Sequence, residues 1–159
     1  MTCLDEIDIL MLENLQKNGR MSNVDLSKIV GISPPPCLRR LRYLEKSGII
    51  TGYHAKVALS AVGHGFEAIC IVNMRANNQS AISNFVSKVQ AMNNVLGCMA
   101  TMGGKDFILR IISKDYNEFD NILINKISNI KGVSKVKPFI IVRTHKDISE
   151  IPLTAFSAK

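Results

Sequence analysis

The chain has 159 residues, 47% of them apolar, which suffices for one full core or two small ones and excludes a disordered or low-complexity class. Its formal net charge of +7 at pH 7 favours an anionic partner such as nucleic acid. No apolar run approaches the roughly 18 residues that suggest a membrane span, and the acidic start at Asp5, Glu6 and Asp8 argues against a signal peptide.

Asp5 is expected to cap a first helix whose apolar positions Ile7, Leu10, Met11 and Leu15 recur at helical spacing, with Gly19 as a left-handed C-terminal cap. Ser22, with Asp25 three residues on, starts a short second helix that buries Leu26, Ile29 and Val30 and stops at Gly31. Ser33 caps a third helix, whose first turn tolerates prolines and which runs to Ser47 before Gly48. Three short helices with glycine turns match a helix-turn-helix module. Ile49 to Val57 is expected to add a strand.

Leu59 to Gly65 is small and glycine-containing and reads as a hinge. Beyond it come a strand from Phe66 to Met74, a helix with Ile82, Phe85, Val86, Val89 and Met92 on one face, and a strand from Val95 to Met102. A strand from Phe107 to Ser113 follows. Asp115 and Glu118 then open a helix burying Phe119, Ile122, Leu123, Ile127 and Ile130, and Val133 to Arg143 is the last strand. The order βαββαβ predicts an α+β chain: a helix-turn-helix domain, then a ferredoxin-like sandwich with two helices on one face of a four-stranded antiparallel sheet. Both sheet faces are rich in apolar residues, so a second subunit is the expected cover of the bare one. Pro138 is harmless if the last strand lies at an edge. The expected domains are residues 1–58 as the helix-turn-helix domain, 59–65 as hinge, 66–146 as the ferredoxin-like, oligomerising sandwich, and 147–159 as a tail.

On the third helix, Cys37, Leu38, Leu41 and Leu44 fall on one side and Pro35, Pro36, Arg39, Tyr43 and Lys46 on the other, with Arg40 and Arg42 on the flanks. A guanidinium can bond two acceptors of guanine or clamp a phosphate, so an apolar back and a basic front suit the major groove. The alternative is a solvated surface helix. The expected DNA-contacting set is Ser22, Asn23, Ser33, Pro34, Pro35, Pro36, Arg39, Arg40, Arg42, Tyr43 and Lys46; for Ser22 and Asn23, plain helix capping competes with phosphate contact.

Other candidates are weaker. Arg110, inside an apolar strand, is expected to meet a carboxylate across a subunit contact. Lys131, Lys135 and Lys137 suit a solvated edge or an extended DNA-facing surface. Cys3, Cys37, Cys70 and Cys98 form no metal or disulfide pattern and fit reduced thiols in a cytoplasm, and His54, His64 and His145 lack ligand spacing. No catalytic constellation, metal site or cofactor is expected.

The stretch from Leu4-Asp5 through Gly52-Tyr53, and within it Ser33-Pro34-Pro35-Pro36-Cys37 followed by Arg40, Arg42, Leu44-Glu45, Gly48 and Ile50, resembles the Lrp/AsnC (leucine-responsive/asparagine-regulator) family. The resemblance continues through the hinge, the βαββαβ order, Gly132-Val133 and Ile151-Pro152-Leu153. It implies a bacterial or archaeal transcriptional regulator, cytoplasmic and nucleoid-associated, that binds double-stranded DNA. It also implies dimerisation through the C-terminal sheet, assembly to octamers and a response to amino acids or related metabolites. An architectural DNA-binding protein, a sensor acting through a protein partner, and sirohaem decarboxylases, which resemble the same two-domain family, are the alternatives.

The resemblance adds effector binding to the 66–146 domain and places it at Met102, Gly103, Gly104, Lys105, Asp106, Val136 and Pro138. Here Lys105 stands where the family usually has an aromatic residue, and Val136 and Pro138 where relatives often have threonines. The two glycines are equally consistent with an ordinary tight turn. Pro35 replaces a frequent threonine in the first turn of the third helix.

Overall fold

The computed structural model describes residues 4–75, 79–102, 106–147 and 150–153. The chain divides into two compact units: the first runs to Lys56 and resumes at Lys146, and the second is Val57–His145.

In the first unit α1 (Glu6–Lys17) starts where Asp5 adopts an extended N-cap conformation. Asp5 Oδ1 accepts from the Asp8 amide at 2.8 Å and the Asp5 amide donates to Asp8 Oδ2 at 3.3 Å, a reciprocal capping box. The left-handed cap expected at Gly19 does not form. Instead Asn18 closes the helix, its Oδ1 accepting from the Arg20 amide at 3.1 Å and its carbonyl from the Met21 amide at 3.1 Å. Gly19 allows a close approach instead: a Cβ there would stand 3.2 Å from Cδ1 of Tyr53, tighter than ordinary contact. Tyr53 also donates from its hydroxyl to Glu45 Oε1 at 3.0 Å, and burial together with that carboxylate pushes the phenol up to about 12.

α2 (Asn23–Val30) is capped by Ser22, whose hydroxyl oxygen accepts from the Asp25 amide at 3.1 Å, and ends at Gly31 with φ +72°, a left-handed turn that favours glycine. α3 (Pro34–Lys46) follows. Met11, Leu12, Leu15, Leu26, Val30, Cys37 and Leu44 form this unit's core. Leu10 and Ile29, expected inside, are 37% and 45% exposed. Leu12 and Ser27 take the inward positions, and Ser27 is tolerable there because its hydroxyl donates to the Val24 carbonyl at 2.8 Å.

Among the described residues the segment expected as a strand, Ile49–Val57, forms no ladder, and no strand of its unit is there to pair with it. The tail belongs to the same unit. The Gln16 side chain brackets Ile151, Nε2 donating to its carbonyl at 3.0 Å and its amide donating to Oε1 at 2.6 Å, while Leu153 packs on the core and Lys56 pairs with Asp147 at 2.7 Å.

The second unit opens with a 3-10 turn at Leu59–Val62, within the stretch expected to be a hinge. Then come β1 (Phe66–Met74), α4 (Gln79–Gln90), β2 (Val95–Ala100), β3 (Asp106–Ser113), α5 (Tyr116–Asn121) and β4 (Val133–Ile140). The antiparallel sheet has the order β2-β3-β1-β4, which puts β4 and its Pro138 at an edge. β4 stops short of the expected Arg143 because Ile140 already pairs with Ala68, two residues from the start of β1. α5 continues as a π-helical turn, Ile122–Ile127, which keeps two fully buried isoleucines five residues apart on the same side. Ala68, Cys70, Val72, Leu109 and Ile111 meet Phe85, Val89, Phe119, Ile122 and Ile127 in the core.

β1 alternates in burial, so Glu67, Ile69, Ile71 and Asn73 point to the face without helices. The register sets Ile69 beside Arg110 and Phe139, and Ile71 beside Ile108 and Lys137. No helix among the described residues is long and apolar enough to cross a membrane.

Candidate nucleic-acid interface and effector region

α3 follows the expected wheel. Cys37 and Leu44 are buried, Leu38 and Leu41 half-buried, and Pro35, Arg39, Arg42, Tyr43 and Lys46 exposed on the outer side with Pro36 at its margin. Among the described residues no carboxylate pairs with Arg39, Arg42 or Lys46, so three cations stand in solvent along one helix face. Such a row can bond phosphate oxygens or the O6 and N7 of guanine.

Arg40 is placed differently from the expectation. Its Nη1 donates to Asp5 Oδ2 at 2.6 Å and to Asp8 Oδ1 at 2.9 Å, which ties α3 to the start of α1. These bonds push the guanidinium's pKa further up, and the side chain serves as an internal brace rather than a member of the outer row. Asp8, only 6% exposed, is a polar core residue that the sequence reading left among the acidic starts; the Asp5-x-x-Asp8 spacing was its signal.

The first turn of α3 departs from the expectation too. Ser33 sits in the extended N-cap conformation, yet its hydroxyl makes no capping bond. The reason is chemical: the amides a cap oxygen would take belong to the following turn, and Pro34, Pro35 and Pro36 have none. The first amide of the helix, that of Cys37, already donates to the Ser33 carbonyl at 3.2 Å. The turn Pro34–Cys37 therefore presents proline rings and no free backbone N–H, next to the Ser33 hydroxyl.

Asn23 spends its amide donor inside the unit, Nδ2 donating to the Pro34 carbonyl at 2.9 Å and so joining α2 to the first turn of α3. The Ser22 hydroxyl donates to Asp25 Oδ2 at 2.7 Å. Both residues act as internal caps and links in this structure.

Gly103, Gly104 and Lys105 lie outside the described residues. Met102 is fully exposed, and Asp106 enters β3 opposite Asn73. Asn73 pairs on its other side with Lys135, so the beginning of β3, the end of β1 and the beginning of β4 share one end of the sheet, spanning about 10 Å at two strand spacings. Val136 at that end is half-buried and packs on the core, while Pro138 is exposed on the edge, two residues along.

Arg110 finds its carboxylate within the chain rather than across a subunit contact: Nε donates to Glu67 Oε1 at 2.6 Å on the face without helices. Lys131, Lys135 and Lys137 are exposed. Cys37, Cys70 and Cys98 are free thiols, and burial pushes Cys70 up to about 11. Among the described residues no group of three or more His, Cys, Asp or Glu could hold a metal ion.

Comparison with known proteins agrees with this two-part layout. A winged helix-turn-helix DNA-binding family matches residues 4–51, and the Lrp/AsnC ligand binding domain matches residues 67–151. The leucine-responsive regulatory protein of Rhizobium meliloti (strain 1021) is 33% identical over 150 residues, covering 94% of this chain and 96% of that protein. The transcriptional regulator AzlB of Bacillus subtilis (strain 168) is 30% identical over 150 residues, 94% of this chain and 96% of its own length. Among solved structures, a transcriptional regulator of Neisseria meningitidis in complex with L-Met superposes with a TM-score of 0.90 at 34% identity, covering 96% of this chain and 98% of the other. The chain therefore belongs to the Lrp/AsnC family of transcriptional regulators, with a helix-turn-helix DNA-binding domain joined to a ligand-binding domain.

Proposed function

We propose that this regulator reads operator half-sites with the outer face of α3, works as a dimer or a ring of dimers, and changes its DNA affinity when an amino acid or related metabolite binds. The observation that carries the DNA reading is the row of Arg39, Arg42 and Lys46, exposed and without a carboxylate partner among the described residues, on a helix whose opposite side is core. Arg40 and Asn23 tie that helix to α1 and α2, and Ser22 caps α2.

For the effector, the support is the L-Met complex of the Neisseria meningitidis regulator and the matched ligand-binding domain. The end of the sheet that holds Met102, Asp106 and Val136, together with Gly103, Gly104 and Lys105, which stand between Met102 and Asp106 in the sequence, is the region we assign to it; Pro138 lies on its margin. Lys105 adds a cation suited to a carboxylate group. The apolar Ile69, Ile71, Ile108 and Phe139 on the face without helices supply a surface that a second copy would cover. The role is regulatory rather than catalytic, at DNA in the cytoplasm, with residues 1–58 as the DNA-binding domain, 59–65 as hinge, 66–146 as the effector and oligomerisation domain, and 147–159 as a C-terminal tail that groups with the DNA-binding unit.

The test is selection of bound duplexes from a random pool at about 0.15 M salt, with and without L-methionine. A palindromic motif that Arg42→Ala loses supports the reading, with a coupling to L-methionine or another amino acid of roughly 5- to 150-fold in affinity. Retention of DNA without enrichment of any motif would point to architectural binding instead.

A further inference from the structure

The three prolines that open α3 change what the recognition helix can read. In most helices the first turn offers free amides to phosphates or base edges. Here Pro34, Pro35 and Pro36 supply no N–H, and the Cys37 amide is taken by Ser33 at 3.2 Å. Pro34 and Pro35 are exposed and Pro36 is half-buried, on the end of the helix that enters a groove first. The local surface is therefore apolar ring carbon next to a cationic row. The base feature that rewards apolar contact in the major groove is the C5-methyl group of thymine.

We infer that Pro35, with Pro36 beside it, is a specificity-determining residue that reads a thymine methyl in each half-site, while Arg39 and Arg42 bond the neighbouring acceptors. This rests on α3 being the DNA-reading helix, as proposed above. The division of labour is chemical: a proline ring offers no donor to a phosphate, so it contributes sequence preference without contributing charge neutralisation.

The experiment removes the methyl from the DNA and leaves the protein intact. Each thymine of the duplex enriched from a random pool is replaced singly by deoxyuridine, which keeps every hydrogen-bonding group and loses only the methyl. Binding is measured for the full-length wild type, Pro35→Ser, Pro36→Ser and Arg42→Ala. At one or two thymines per half-site the wild type is expected to bind about fourfold more weakly, the value of one buried methyl. Pro35→Ser or Pro36→Ser should abolish that sensitivity while leaving the salt dependence of binding unchanged. Arg42→Ala should weaken binding to every duplex and retain the sensitivity.

A wild type indifferent to every deoxyuridine, or an enriched half-site without thymine, overturns the inference. So does a penalty that survives in both proline variants, because another side chain then reads the methyl. Failure of the underlying helix assignment looks different: Arg42→Ala would bind like the wild type.

Discussion

Arg40 on α3 and Asp8 on α1 are joined by a 2.9 Å bond from Nη1 to Oδ1, and the same nitrogen reaches Asp5 Oδ2 at 2.6 Å. Asp8 has a side chain only 9% exposed, whereas Arg40 is a third exposed. Removing the guanidinium strands a mostly buried carboxylate, while removing an outer arginine strands nothing. Arg40→Ala is therefore expected to lower unfolding stability by about 1–3 kcal/mol. Arg42→Ala should stay within about 0.5 kcal/mol of the wild type. Operator affinity measured well below the melting temperature should rank them in the opposite order. Thermal unfolding and equilibrium DNA binding on both variants check this, and a stable, binding-deficient Arg40→Ala would return that residue to the reading face.

The same cluster sets an acid limit. Burial pulls the Asp5 carboxyl upward, but hydrogen bonds from the Asp8 amide and Arg40 outweigh it and hold it below its ordinary 3.8. Because the folded value is the lower one, the stabilisation is complete above 3.8 and disappears as pH falls through the folded value. Asp5→Asn keeps a cap acceptor and drops the charge. Its melting temperature should change less than the wild type's between about pH 5 and pH 2. Parallel profiles would show that Asp5 contributes no pH-linked stability.

Most of this architecture was legible as period and punctuation. Ser22, Gly31, Asp115 and the alternation of β1 mark elements whose cause is local, and the strand order follows from their sequence. What stayed hidden depends on distant partners. Arg40 lies on the flank of its wheel, and only the packing of α1 beside α3 selects Asp5 and Asp8 over DNA as its neighbours. Arg110 was legible as a charge that needs a carboxylate, but the strand register was required to place Glu67 next to it. Ile49–Val57 has strand composition but, among the described residues, no strand to pair with, and composition alone does not report whether a neighbour is present. At Ser33 the residue type suggested a capping bond, although the prolines that prevent it were already in view.

The tail is part of the DNA-binding unit rather than an appendage to it. Gln16 offers Ile151 both a donor and an acceptor, as a neighbouring strand would, and Leu153 adds apolar contact with the core. Gln16→Ala is expected to cost about 1 kcal/mol, the net value of such exposed hydrogen bonds at the upper end. It should also accelerate hydrogen exchange at the Ile151 amide, which donates at 2.6 Å in the wild type. A tail that does not dock in solution would leave that amide exchanging at the unprotected rate in both proteins.

Ile71 stands on the face of β1 that the helices leave open, between Ile108 and Lys137 in the register and one alternation away from Ile69. A carboxylate at position 71 would meet solvent in an isolated chain at little cost. In an assembly that covers this face the carboxylate and the Lys137 ammonium beside it would both lose water, a penalty of several kcal/mol per ion that their mutual attraction offsets only in part. Ile71→Asp is therefore expected to sediment as a monomer at micromolar concentration while keeping the far-ultraviolet signature of the fold. The wild type should melt at higher temperature as its concentration rises, because assembly stabilises the folded chain by mass action, and the variant should lose that dependence. Equal sedimentation of the two proteins would mean that copies associate through some other surface and that the apolar face of the sheet is free for a different partner.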